Sequence, residues 1–142
     1  MPDKPRGIVV DSGPLIALFD AGDDHHGRAL RFVQRTRAKL MSSMAALTEA
    51  MYVLDHSLLA QRNLLAWVYK GGLALIEPES TDFERIAELM EKYADLPMDF
   101  TDAVVVTLCE RLGIHHVASV DHHFAIYRLR GRTKFVNVFL AS

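Results

Sequence analysis

Short β-branched runs alternate along this chain with longer stretches of helical period. Ile8 to Val10, Leu40 to Ser42, Leu73 to Ile76, Val117 to Val120 and Phe135 to Val138 read as strands. The segments between them read as helices. Thr81-Asp82-Phe83-Glu84 matches a capping box, after which Phe83, Ile86, Ala87 and Met90 recur on one helical face. A further helix is expected from near Asp99 to a stop at Gly113. Strands alternating with helices over short connections predict a mostly parallel sheet, because each right-handed crossover needs a helix to return the chain. The expected fold is therefore α/β. In such sheets the working crevice lies beyond the carboxyl ends of the strands, where strand order reverses. No repeat divides the sequence, no linker rich in Pro, Gly or Ser interrupts it, and residues 1–142 read as one domain.

Against this pattern a few acids stand out. Asp11 directly follows Ile8-Val9-Val10 and precedes the turn Ser12-Gly13-Pro14, while Asp121 follows Val117-Ala118-Ser119-Val120 in the same way. If those strands are neighbours, both carboxylates project into one crevice; the plainer reading makes each an N-cap. Glu49 sits in Met44-Ala45-Ala46-Leu47-Thr48-Glu49-Ala50-Met51-Tyr52-Val53-Leu54, which is apolar all round and expected to be largely buried. An ionised carboxylate there needs a basic partner or a cation, and no Lys or Arg follows in that helix before Arg62. Asp102 poses the same problem within Phe100-Thr101-Asp102-Ala103-Val104-Val105-Val106. Asp99 lies one turn earlier and suits a cap; the helix dipole alone offers Asp102 only ~0.3–1 kcal/mol. Four such acids converging on one point would repel one another and call for a divalent cation. Oxygen-only ligation selects Mg2+ or Mn2+, and with them metal-assisted phosphoryl transfer.

Composition constrains the setting. The chain has 142 residues, 50% of them hydrophobic and 24% charged, the balance of an ordinary folded domain rather than a disordered or fibrous one. A single cysteine, Cys109, excludes an internal disulfide. Apolar stretches of roughly seven residues fall far below the ~20 that span a bilayer, so no membrane is involved and a cytoplasmic location is expected. The net charge of −2 gives no support to a generally basic nucleic-acid binder. Setting four clustered acids aside leaves 16 basic against 14 acidic side chains, a mildly basic surface around an acidic hole.

The motifs Val9-Val10-Asp11-Ser12-Gly13-Pro14-Leu15, Leu47-Thr48-Glu49-Ala50, Met98-Asp99-Phe100-Thr101-Asp102-Ala103 and Ser119-Val120-Asp121-His122-His123-Phe124 resemble, in order and spacing, the successive acidic motifs of PIN-domain nucleases. Within that family the resemblance is to the VapC-type toxins of toxin–antitoxin pairs, and it covers nearly the whole chain. It implies a three-layer α/β/α sandwich around a mostly parallel sheet of about five strands. It also implies Mg2+- or Mn2+-dependent endonucleolytic cleavage of RNA, leaving 5′-phosphate and 3′-hydroxyl ends. By motif position Asp11, Glu49, Asp102 and Asp121 would be the catalytic metal ligands, Ser12 a supporting hydroxyl, and Asp99 either a fifth acid or the third ligand in place of Asp102. Partners implied are an RNA substrate, a small DNA-binding antitoxin and a second copy in a homodimer. A competing class is a non-catalytic RNA- or partner-binding module that keeps the fold and uses the acids as caps or ion-pair partners. A receiver- or phosphatase-type protein ranks third, for want of a second acid beside Asp11.

Other polar residues admit a role toward RNA. Arg28, Arg31 and Arg35 share one face of an expected helix, and Arg128 and Arg130 lie near the carboxyl terminus. His122 and His123 follow Asp121 directly. For each of these a solvated or packing role is the plainer alternative. The adjacent pairs His25-His26, His115-His116 and His122-His123 lack the spacing of a zinc site. Trp67 and Tyr69 read as core or dimer packing ahead of base stacking.

Overall fold

The computed structural model describes residues 4–141. Five strands, β1 (Gly7–Val10), β2 (Lys39–Ser42), β3 (Ala74–Leu75), β4 (His116–Ala118) and β5 (Val136–Asn137), form one sheet in the order β3-β2-β1-β4-β5. Every pairing is parallel. Each predicted strand is present: β1 and β2 begin one residue earlier than expected, β3 and β5 are trimmed at both ends, and β4 begins one residue earlier and ends two sooner. Between the strands run α1 (Ser12–Phe19), α2 (His26–Arg35), α3 (Met44–Val53), α4 (Leu58–Tyr69), α5 (Phe83–Lys92) and α6 (Phe100–Leu112).

Alternation along β1 divides the core into two layers. Ile8 and Val10 pack with Leu15, Phe32, Leu47, Leu64 and Phe139 on the face covered by α1 to α4. Val9 points the other way, toward Ile86, Leu89, Val104, Val105 and Leu108 of α5 and α6. A strand buried on both faces in this way needs helices on both sides, which gives the α/β/α sandwich. Each buried Val, Ile or Leu contributes on the order of 1.5–3 kcal/mol relative to exposure.

Two expectations are corrected. The capping box before α5 begins earlier than Thr81: the Asp82 carboxylate accepts the Glu79 N–H at 2.8 Å, so a 3-10 turn, Ser80–Asp82, leads into the helix. The second concerns α3, which is not buried all round. It seats Ala46, Leu47 and Ala50 in the core and leaves Met44, Val53 and Tyr52 exposed, Tyr52 at 76%. An apolar sequence does not oblige burial, since much of any protein surface is apolar. Trp67 packs on Phe19 with ring centroids 5.7 Å apart, whereas Tyr69 is 90% exposed and no part of the core. Among the described residues no helix is long and apolar enough to cross a membrane.

Gly113 closes α6 in the left-handed region at φ 68°, and its N–H donates to the Cys109 carbonyl. Gly113→Ala therefore strains the backbone without creating a clash, since no atom lies within 4 Å of an added Cβ. Stability measured by urea denaturation is expected to fall by about 1 kcal/mol.

Candidate active site

Strand order reverses between β1 and β4, and both chains leave the sheet there at their carboxyl ends. The Asp11 N–H donates to the Ala118 carbonyl at 2.8 Å, extending the ladder by one rung. Asp11 is thereby fixed opposite Ser119, whose Oγ–H donates to Asp11 Oδ2 at 3.0 Å. Asp11 Oδ1 accepts the Ser12 N–H at 2.9 Å. The same Ser119 Oγ accepts the Asp121 N–H at 2.9 Å, so one fully buried hydroxyl ties the two strand-end acids together. Asn137 of β5 braces this serine from behind, with Nδ2 donating to the Ser119 carbonyl at 3.0 Å and Oδ1 accepting the Ser119 N–H at 3.2 Å. A Cβ on Gly13 would lie 2.4 Å from Val120 Cγ2, and only glycine lets the start of α1 approach the loop carrying Asp121 so closely.

The opening turn of α6 supplies two more acids. Asp99 Oδ1 accepts the Asp102 N–H at 2.9 Å and Asp102 Oδ2 accepts the Asp99 N–H at 3.2 Å, a reciprocal capping box. Every residue from Thr101 to Cys109 is buried, Asp102 included. Asp121 caps the turn His122–Ala125, Oδ1 accepting the His123 N–H at 2.8 Å. Glu49 on α3 is half-buried, so the burial cost expected for it from the sequence does not arise in full. Among the described residues, Asp99 Oδ2, Asp102 Oδ1, Asp121 Oδ2 and both Glu49 oxygens accept no hydrogen bond.

Electrostatics tie these groups into one neighbourhood. Burial pushes the Asp11 carboxyl up to about 6 against the hydrogen bonds from Ser12 and Ser119, and the charges of Asp99 and Glu49 add to the rise. Asp102 is pushed up to about 8 by burial first and then by repulsion from Asp11, Asp99 and Asp121. The Tyr127 phenol is also raised, by burial and by the charges of Asp102, Asp121, Asp99 and Asp11. Tyr127 is fully buried, and its hydroxyl has no hydrogen-bond partner among the described residues. No Lys or Arg among the described residues pairs with Asp11, Glu49, Asp99, Asp102 or Asp121; the His123 imidazole Nδ1 lies 3.1 Å from Asp121 Oδ1.

The remaining sequence-derived residues divide. Ser12 contributes its backbone N–H to Asp11, and its hydroxyl makes no hydrogen bond among the described residues. Arg28 is engaged on the carboxyl-terminal segment, donating to the Phe139 and Leu140 carbonyls at 3.0 and 3.3 Å and lying over the Phe139 ring. Arg128 Nη1 donates to the carbonyls of Ala125, Ile126 and Tyr127, and the Arg130 N–H and guanidinium are held by Glu110. These three arginines hold the fold. Arg31, Arg35 and His122 are exposed. Sequence reasoning missed Ser119, Asn137 and Tyr127. A polar residue closing the apolar run Val117-Ala118 was the one available signal for Ser119; the partnership with Asn137 spans 18 residues and leaves no local trace.

A divalent cation fits the donor chemistry: the unbonded oxygens are all carboxylate oxygens, hard ligands suited to Mg2+ or Mn2+, and among the described residues no Lys or Arg pairs with them to offset their repulsion. Among the described residues no group of three or more His, Cys, Asp or Glu side chains stands arranged to hold a metal ion. The caps, rather than a shared centre, set where the carboxylates lie.

Comparison with known proteins adds three findings. A family model described as the PIN domain matches residues 8–129. A protein described as ribonuclease VapC26, from Mycobacterium tuberculosis, is 24% identical over 135 residues, covering 90% of this chain and 97% of that protein. The crystal structure of Mycobacterium tuberculosis VapC20, described as a sarcin–ricin-loop-cleaving toxin, matches with a TM-score of 0.76 at 23% identity, over 84% of this chain and 93% of that one. At that identity the likeness concerns the fold.

The raised carboxyls have a consequence for stability. The folded protein retains protons on Asp11 and Asp102 that the unfolded chain, with carboxyls titrating near the ordinary aspartate value of 3.8, gives up. Stability therefore falls as pH rises through the window from about 4 to about 8. Thermal unfolding in EDTA is expected to give a lower Tm at pH 8 than at pH 5, and Asp102→Asn is expected to flatten that slope.

Proposed function

The chain belongs to the PIN-domain family, and from that premise we propose that it is a metal-dependent endoribonuclease that hydrolyses RNA phosphodiester bonds. The observation that carries this reading is the set of acids gathered at the β1/β4 edge with no Lys or Arg to offset them. The name of the VapC26 relative supports RNA as the substrate class. Mg2+ or Mn2+, when bound by Asp11, Asp102, Asp121, Asp99 and Glu49, supplies the positive charge that activates water and stabilises charge developing on the phosphodiester.

The chain's own residues supply position. Asp11 is the best fixed of the acids, with one oxygen on the Ser12 N–H and the other on the Ser119 hydroxyl, so its carboxylate plane is set before any ligand arrives. Asp99, Asp102 and Asp121 each spend one oxygen on a helix N–H and keep the other for chemistry. Capping locks the side chain and leaves its reactive atom facing the crevice. Partial protonation of Asp102 near neutral pH lets the carboxylates stand together until they meet a cation or phosphate. The protein is further read as the toxin of a type II toxin–antitoxin pair, inhibited by a small DNA-binding antitoxin and acting as a homodimer. The description of VapC20 as a toxin supports the toxin part of that extension; the antitoxin and the homodimer rest on the family resemblance.

A second reading, a non-catalytic module that binds RNA or a partner, is favoured by one observation: Asp11, Asp99, Asp102 and Asp121 all accept backbone N–H groups at helix starts, which gives them structural work without any reaction. Incubation of labelled single-stranded RNA with EDTA, Mg2+ or Mn2+ separates the two. The nuclease reading expects products only with cation, lost by about 100-fold or more in Asp11→Asn and Asp102→Asn while circular dichroism stays native. RNA association without products in any cation would establish the binding module instead. Ser119→Ala is expected to reduce turnover by about 10- to 100-fold, the usual effect of removing a group that orients a ligand.

A further inference from the structure

At the opposite edge of the sheet from the acids, the amino-terminal ends of β1 and β2 frame a cleft of about 500 Å³. Arg6 immediately precedes β1, and Thr36, Arg37 and Ala38 immediately precede β2, so the cationic part of the cleft lies at the amino-terminal ends of the strands, away from the carboxylates, while Val138, just beyond β5, closes its inner wall. Four cationic side chains line it: Lys4, Arg6, Arg35 and Arg37. All four are exposed, no Asp or Glu is among the described lining residues, and none of the four forms an ion pair among the described residues. In a chain whose net charge is −2, such a concentration of unpaired positive charge is a local asymmetry. The wall behind it is apolar, built from Ile8, Phe32 and Val138.

A structural role accounts for part of this. Arg35 lies in the last turn of α2, where a cation complements the helix dipole. That role leaves Lys4, Arg6 and Arg37 unexplained, since none of them is in the helix and all converge on the same concavity. We propose that this cleft is a nucleotide-binding site: its guanidinium and ammonium groups hold phosphate oxygens, which Arg engages in bidentate fashion, and its apolar wall takes the sugar and base. The volume suits a ligand of that size. The nucleotide is either free or part of an RNA strand, for the phosphate chemistry is the same. The site uses none of the carboxylates, so it stands or falls separately from the nuclease reading.

The test is a titration with ADP in EDTA, followed by amide chemical shifts and by calorimetry. Saturable binding is expected, with shifts centred on Ile8, Ala38 and Val138, unaltered in Asp11→Asn and weakened at least tenfold in the double variant Arg35→Glu/Arg37→Glu. Both substituted side chains are exposed, and thermal melts establish that the variant is folded. Affinity should also fall steeply with added salt, as phosphate contacts require. Displacement of ADP by a single-stranded RNA on the Asp11→Asn protein assigns the site to an RNA strand; retention of ADP assigns it to a free nucleotide. Absence of saturable binding, equal affinity in the double variant, or shifts centred on the acid edge would overturn the proposal.

Discussion

Mutual repulsion among carboxylates, held together without any cation from the chain, is the constraint around which this fold is arranged. Asp11 and Asp102 are both buried; burial raises the proton affinity of each, and the charge of Asp11 adds to the rise at Asp102. Left to themselves such groups would turn apart or demand an arginine. The backbone prevents the first: a ladder bond fixes Asp11 on Ala118, and a reciprocal capping box fixes Asp99 and Asp102 on α6. No basic side chain supplies the second among the described residues. The resulting strain resides in protonation, with Asp102 pushed up to about 8.

Helix capping and cation binding are usually offered as rival explanations of an acid at the start of a helix, yet here one carboxylate serves both. The oxygen that caps orients the oxygen that does not. The capping bonds lie at the carboxyl edge of a parallel sheet, where they fix one oxygen each of Asp99, Asp102 and Asp121 beside the β1/β4 reversal. Ser119 and Asn137 extend this logic into the sheet: a buried hydroxyl joins Asp11 to the Asp121 loop, and an amide on β5 holds that hydroxyl's backbone in place. Three strands, β1, β4 and β5, thus contribute to one edge through a chain of hydrogen bonds.

Much of this was legible in the sequence, because parallel sheets advertise themselves. Runs such as Ile8-Val9-Val10 are apolar without alternation when both faces are covered, and an acid at the end of such a run has few reasons to be there. Asp11 and Asp121 were found on that ground and follow β1 and β4 at the reversal, while Asp102 was found as an acid within the apolar opening of α6 and is buried there. Glu49 was found on an argument that the structure weakens, since α3 turns Tyr52 and Val53 to solvent and leaves the carboxylate half-buried. Apolar composition alone cannot say which face of a helix a neighbour covers. The arginines show a different limit of the sequence: Arg28 and Arg128 each have Nη1 bonded to main-chain carbonyls that folding brings near, a structural use that composition does not reveal. Ser119, Asn137 and Tyr127 depend on pairings across strands, which no local pattern records.

The central claim is that the acids at the β1/β4 edge are incomplete without a divalent cation. Its most direct measurement is calorimetric titration of the protein with Mn2+ near pH 7 in two buffers of different ionisation enthalpy. The account predicts saturable binding that releases protons, because Asp102 must give up the proton that burial and then repulsion make it keep, and loss of that binding in Asp11→Asn. Absence of binding, or binding that releases no protons and survives the substitution, would contradict it.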